Sequence, residues 1–158
     1  GLNMKNDEIL KYIEDIAIKE YTYNIPAKSG VLKTVGALRQ KGYSLNVLTA
    51  SPHPIVDICL KRLELYGFFD NVWSCDDFKM TKTNPEIYKS AAKKLGYKCE
   101  NCVVFDDNLV AVTTAKKAGL KVVGVYDETS KQYESEMRSV CDFYVHSIDE
   151  AGKFLGIF

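Results

Sequence analysis

Cys102-Val103-Val104-Phe105-Asp106-Asp107-Asn108 places an unbroken apolar run directly before two adjacent carboxylates. Apolar residues without alternation are the pattern of a strand buried on both faces, as a parallel sheet covered by helices requires. Two carboxylates at the end of such a strand repel each other and lose hydration, a cost that a cation or a lysine must offset. The run therefore predicts an α/β fold and puts chemistry at the strand's carboxyl end.

Downstream, Leu109–Ala118 with Gly119 reads as a helix and Lys121–Tyr126 as a second buried strand. A polar helical segment Ser130–Ser139, a short strand Phe143–Val145 and a helix from Ser147 onward complete this side. Upstream, Asn84-Pro85 opens a helix through Ile87, Tyr88, Ala91, Ala92 and Leu95 that stops at Gly96. Before it come a strand near Val72–Cys75, a helix from Ser51-Pro52 to Gly67, and a strand Tyr43–Leu48. Ser29 is the expected N-cap of a helix carrying Val31, Val35 and Leu38, closed by Lys41-Gly42. Ile9, Leu10, Ile13, Ile16 and Ala17 predict an amphipathic first helix, Asp7–Glu20. Alternation this regular predicts a doubly wound parallel sheet with helices on both faces.

Composition agrees with one globular domain: 158 residues, 46% hydrophobic and 27% charged, which excludes disorder and coiled coil. Twenty-one basic residues balance 21 acidic ones, so no net field recruits nucleic acid or an anionic membrane. No apolar run approaches the roughly 18 residues of a membrane span, and the expectation is a soluble, cytoplasmic protein. Five cysteines are an odd number, mostly within apolar runs, and predict reduced thiols rather than a disulfide framework. Cys99-Glu100-Asn101-Cys102 spells C-x-x-C, but it lacks a second pair, and Cys102 begins a strand instead of a helix, so it reads as accidental. His53 and His146 stand in unrelated contexts.

Ligands of doubly wound sheets bind beyond the carboxyl ends of the strands. Thr49-Ala50-Ser51 there offers hydroxyls and a helix N-terminus to an anion, against the plainer reading of Ser51 as an N-cap. Asp106 and Asp107 are hard oxygen donors suited to Mg²⁺, while Asn108 is accounted for as a cap. Lys82, just before Asn84-Pro85, could neutralise carboxylates and a phosphate, whereas Lys79 reads as a solvated surface lysine.

Together these segments resemble the haloacid dehalogenase-like superfamily, in particular its phosphatases and β-phosphoglucomutase-like members. The resemblance is carried by Leu45-Asn46-Val47-Leu48-Thr49-Ala50-Ser51, by Lys82-Thr83-Asn84-Pro85-Glu86-Ile87-Tyr88 and by Val103-Val104-Phe105-Asp106-Asp107-Asn108, in that order, from about Ile25 to the C-terminus. Thr83 stands where the family often has proline and Asn108 where it often has serine. The family's opening strand, with an Asp-x-Asp motif whose first aspartate is the nucleophile, has no counterpart: no D-x-D occurs in the sequence. Tyr126-Asp127-Glu128-Thr129 lacks the second aspartate in register.

The resemblance implies a Rossmannoid core over residues 25–158 lacking its first strand, and a remnant of a helical cap over residues 1–24. It places the absent strand between those ending at Thr49 and Phe105, which would leave two buried edges open. The expectation is a C-terminal portion of a longer protein, inactive by itself. The implied activity is Mg²⁺-dependent hydrolysis of a small phosphorylated metabolite through an aspartyl-phosphate. Thr49, Ala50, Ser51 and Lys82 would hold the phosphoryl group, Lys82 being the one catalytic residue present, and Asp107 with Asp106 would hold the metal. The alternative is a non-catalytic binding domain of the same fold. A receiver-type phosphoacceptor ranks last, because its acidic pair would precede the threonine and lysine rather than come after them.

Overall fold

The computed structural model describes residues 6–150, with Gly152 and Leu155. Helix α1 (Asn6–Tyr23) leads through a short linker to α2 (Val31–Gln40) and β1 (Asn46–Thr49). Next come α3 (His53–Arg62), β2 (Asn71–Ser74), α4 (Pro85–Lys94), β3 (Val103–Asp106), α5 (Leu109–Lys117), β4 (Lys121–Val125), α6 (Glu134–Val140) and β5 (Phe143–Val145). The predicted alternation is present, and every strand pairing is parallel.

The strands form two sheets rather than one. β1 pairs with β2, and β3, β4 and β5 form a second sheet in that order. Among the described residues no strand joins β1 to β3. Burial reflects this arrangement: β4, flanked on both sides, is buried from Val122 to Val125, whereas every residue of β1 and β3 remains half-buried. Val103-Val104-Phe105 thus has the composition of a doubly covered strand with one edge open.

The core lies where α4 and α5 pack on the three-stranded sheet, around Ile87, Tyr88, Val112, Ala115, Val122 and Met137. The Tyr88 hydroxyl donates to the Ala111 carbonyl at 3.2 Å, which satisfies a buried polar group across α4 and α5. Gly124 admits Tyr144 and Cys141 so closely that a Cβ there would lie 2.7 Å and 2.9 Å from their side chains. Helix α1 packs on α3, and Arg62 ties its end by donating to the Tyr21 carbonyl at 3.1 Å.

Several expected boundaries move. Gly30, with φ 79°, replaces Ser29 as the N-cap of α2, because the entry turn needs a left-handed residue. Pro52 caps α3 without any side-chain bond, so Ser51 is not an N-cap. Helix α3 ends at Arg62 instead of Gly67; Glu64 turns left-handed and a single 3-10 turn, Tyr66–Phe68, comes next. Strand β1 starts at Asn46 rather than Tyr43, since the Asp70 side chain accepts from the Ser44 hydroxyl and the Leu45 amide and takes that segment out of the ladder. Ser130–Ser139 divides into a 3-10 segment, Glu128–Tyr133, and α6. Ser147–Asp149 is bend and turn, and the rest of the helix expected from Ser147 falls largely outside the described residues.

Candidate active site

The loop after β2 fixes the relative direction of the two sheets. Within it Asp77 accepts from His53 at the start of α3, at 2.9 Å, if the facing ring nitrogen is protonated. Five residues on, Lys82 reaches Asp106 at the end of β3. One short segment therefore touches both the helix that β1 leads into and the last residue of β3, so the carboxyl ends of β1, β2 and β3 share one side of the molecule.

Lys82 donates to Asp106 Oδ2 at 2.8 Å, and Asp106 Oδ1 accepts the Asn108 amide at 3.0 Å. The Asp106 side chain is only 9% exposed, and both its oxygens are engaged. Asp107 is different: at 43% exposure it faces outward, with Lys28 at 3.4 Å. Asn108 caps α5 by accepting from Val110 and Ala111. Thr49 Oγ1 accepts the Ser51 amide at 3.0 Å, which leaves the Thr49 hydroxyl proton free to donate outward. Ala50 is exposed at this turn and Ser51 half-buried. The structure thus brings Lys82 and Asp106 into contact, while no hydrogen bond among the described residues links Thr49, Ala50 or Ser51 to them.

Two participants escaped the sequence reading. Lys28, in the linker after α1, donates to Asp127 and to the Tyr126 carbonyl and faces Asp107, thereby joining the ends of β3 and β4. Its hydrogen bond, with two from Thr129, holds the Asp127 carboxyl well below the usual range. Burial alone would lower the Lys28 pKa, but Asp127 and Asp107 together raise it. His53 lies between Asp77 and Asp57, and its pKa is raised chiefly by the Asp77 bond. Lys28 carries no local signal, because its partners lie about 80 to 100 residues away; His53 has Asp57 one turn on in α3, but Asp77, the partner that chiefly raises its pKa, lies on another element.

Both carboxylates and the hydroxyl turn stand at the carboxyl ends of strands in a parallel α/β fold, and Lys82 reaches Asp106 from the loop that precedes α4. Residues 2–125 match the haloacid dehalogenase-like hydrolase family, and the chain belongs to it. It is 30% identical over 143 residues to pyrophosphatase PpaX of Anoxybacillus flavithermus, covering 90% of this chain and 63% of that protein. PpaX of Bacillus velezensis is 29% identical over 126 residues, covering 79% and 58%. Among solved structures, a phosphatase of this family from Thermococcus onnurineus superimposes with a TM-score of 0.75 at 26% identity, covering 98% of this chain and 66% of that one. The chain spans about half the length of the curated relatives it matches. Among the described residues no helix is long and apolar enough to cross a membrane.

Proposed function

We propose that this chain supplies the phosphate-binding and metal-binding part of a Mg²⁺-dependent phosphohydrolase acting on a small phosphorylated metabolite. The observation that carries the reading is the Lys82–Asp106 pair, shielded from solvent beside the outward-facing Asp107. Lys82 fixes Asp106 and leaves ammonium donors for a phosphoryl oxygen, while the Thr49 hydroxyl with Ala50 and Ser51 offers a second contact. Residues 1–24 are read as the remnant of a cap and residues 25–158 as the core without one strand. Free cysteines and balanced charge support a cytoplasmic protein without nucleic-acid partners.

Mg²⁺ takes one or two carboxylates and completes its shell with water and phosphate oxygens. Asp107 fits that role, with Asp106 behind it as a further ligand or as the group that orients it. Among the described residues no group of three or more His, Cys, Asp or Glu gathers there, so in this reading water and phosphate oxygens would complete the shell. When bound, the ion would neutralise charge on the transferring group. In the proposed reaction an attacking carboxylate, a role assigned to none of the described residues, would bond to phosphorus as the ester P–O bond breaks and the leaving oxygen takes a proton; water would then attack phosphorus, releasing phosphate and restoring the carboxylate.

Calorimetry with Mg²⁺ and inorganic phosphate tests this reading. The wild-type chain is expected to bind phosphate in the presence of Mg²⁺, and Lys82→Ala and Asp107→Asn to weaken it about tenfold or more, the loss of one charged contact. The alternative reading is a non-catalytic binding domain of the same fold. Absence of both Mg²⁺ and phosphate binding in the wild type would select it.

A further inference from the structure

The two adjacent carboxylates at the end of β3 each face their own lysine, and the two pairs are held differently. Lys82 meets Asp106 at 2.8 Å in a tight, sheltered contact. Lys28 stands 3.4 Å from Asp107, with side chains 44% and 43% exposed, so this second pair is loose and wet. Its ammonium nevertheless faces three oxygens: Asp127, the Tyr126 carbonyl at 3.3 Å and Asp107. An ammonium carries three protons, one for each of these, which places Lys28 as a cation among carboxylates rather than as a phosphate ligand. The backbone that presents it is fixed. The Lys28 carbonyl accepts from the Val31 amide at 3.3 Å, and the Ser29 carbonyl accepts from the Ser147 hydroxyl at 3.3 Å. Gly30 lies so close to Asp149 that a Cβ there would come within 2.7 Å of its carboxylate oxygen. The side chain keeps room to move, because a hollow of about 250 Å³ at the end of β4 is lined by Lys28 with Tyr126, Asp127 and His146.

We infer that Lys28 is the resident counter-cation of Asp107 and sets how strongly that carboxylate takes a divalent cation. The inference rests on the assignment of Asp107 to Mg²⁺ proposed above. In the ion-free chain the ammonium offsets the repulsion between the neighbouring carboxylates of Asp106 and Asp107. It also places a positive charge beside the ligand that a divalent cation would take, and like charges a few Å apart repel. To admit the cation, Lys28 gives up Asp107 and stays on Asp127, its closer partner. Asp127 is the positioning residue of this exchange, since it holds the ammonium once Asp107 is taken. The loose Lys28–Asp107 contact suits displacement, whereas the sheltered Lys82–Asp106 pair does not. Lys28 therefore acts on the metal site through charge alone.

The test is Mg²⁺ titrated into the 158-residue chain at low ionic strength, read from the amide NMR shifts of Asp107 and Asn108. Lys28→Met should bind Mg²⁺ at least about threefold more tightly than wild type, and Lys28→Arg, which keeps the charge, about as tightly as wild type. Added salt should narrow the gap between wild type and Lys28→Met, because these side chains are exposed to screening. Asp127→Asn frees the ammonium for Asp107 and should weaken Mg²⁺ binding far more in the Lys28 chain than in Lys28→Met. Lys28→Gln, with the same expected gain, takes the place of the methionine variant if that one fails to fold. Equal or weaker binding by the variants that lose the charge overturns the inference and leaves the metal site standing. So does a gap indifferent to salt, or an Asp127→Asn effect of the same size in both backgrounds. Absence of any Mg²⁺-dependent shift at Asp107, in wild type and variants alike, removes the metal site itself, and the inference falls with it.

Discussion

Lys82 and Asp106 form a 2.8 Å ion pair in which the carboxylate is nine-tenths shielded and also accepts the Asn108 amide. The pair joins the loop after β2 to the end of β3, so it holds together two segments that belong to different sheets. Lys82→Met should lower unfolding stability by about 1–3 kcal/mol, below the cost of breaking a fully buried pair because Lys82 keeps some exposure. Urea denaturation checks this. The double variant with Asp106→Asn should recover part of the loss, because the uncompensated charge is then gone.

Asp127 supplies an acid-side dependence. Its carboxyl is held far below the ordinary value, first by Lys28 and then by Thr129. A depressed folded pKa contributes stability that is full above the unfolded value of about 3.9 and is lost as pH falls through the folded one. The stability difference between wild type and Lys28→Met should accordingly be constant near neutrality and shrink below about pH 4, as tracked by denaturant midpoints. A difference unchanged down to strongly acidic pH would contradict the assigned bond.

His53 works in the opposite sense. The Asp77 hydrogen bond raises its pKa against a small pull from burial, with Asp57 adding to the rise. Stability from this contact is present below the unfolded value of about 6.5 and fades as pH rises through the folded pKa. Proton NMR resolves the two histidines. His53 should titrate above the ordinary value and return toward it in Asp77→Asn.

Gly124 tests the packing of the three-stranded sheet. A Cβ there would lie 2.7 Å from Tyr144 and 3.2 Å from Met137, whose burial is complete. Gly124→Ala should cost about 1–3 kcal/mol as an overpacked site, visible as a lowered melting temperature. Gly67→Ala, with open space around the added carbon, should not do this.

The α/β alternation was legible because helix periods, Asn84 and Asn108 caps and the Gly96 and Gly119 stops all act over a few residues. Lys82 and Asp106 were legible as a pair because each sits at a fixed offset from a strand or helix end. Lys28 was not: its partners lie some hundred residues away, and the lysine alone looks like any solvated one. Ser29 and Ser51 were misplaced as caps because the turns that enter α2 and α3 are set by backbone geometry at Gly30 and Pro52. The strand ends shifted for a similar reason, since Asp70 competes for the backbone of Leu45.

The half-open state of β3 has a consequence for isotope exchange. By the register with β4, in which the Cys102 carbonyl accepts from Lys121, the amides of Val104 and Asp106 face β4 and should exchange slowly, whereas those of Val103 and Phe105 face the edge with no strand partner among the described residues and should exchange orders of magnitude faster. A single strand would then carry alternating fast and slow protons.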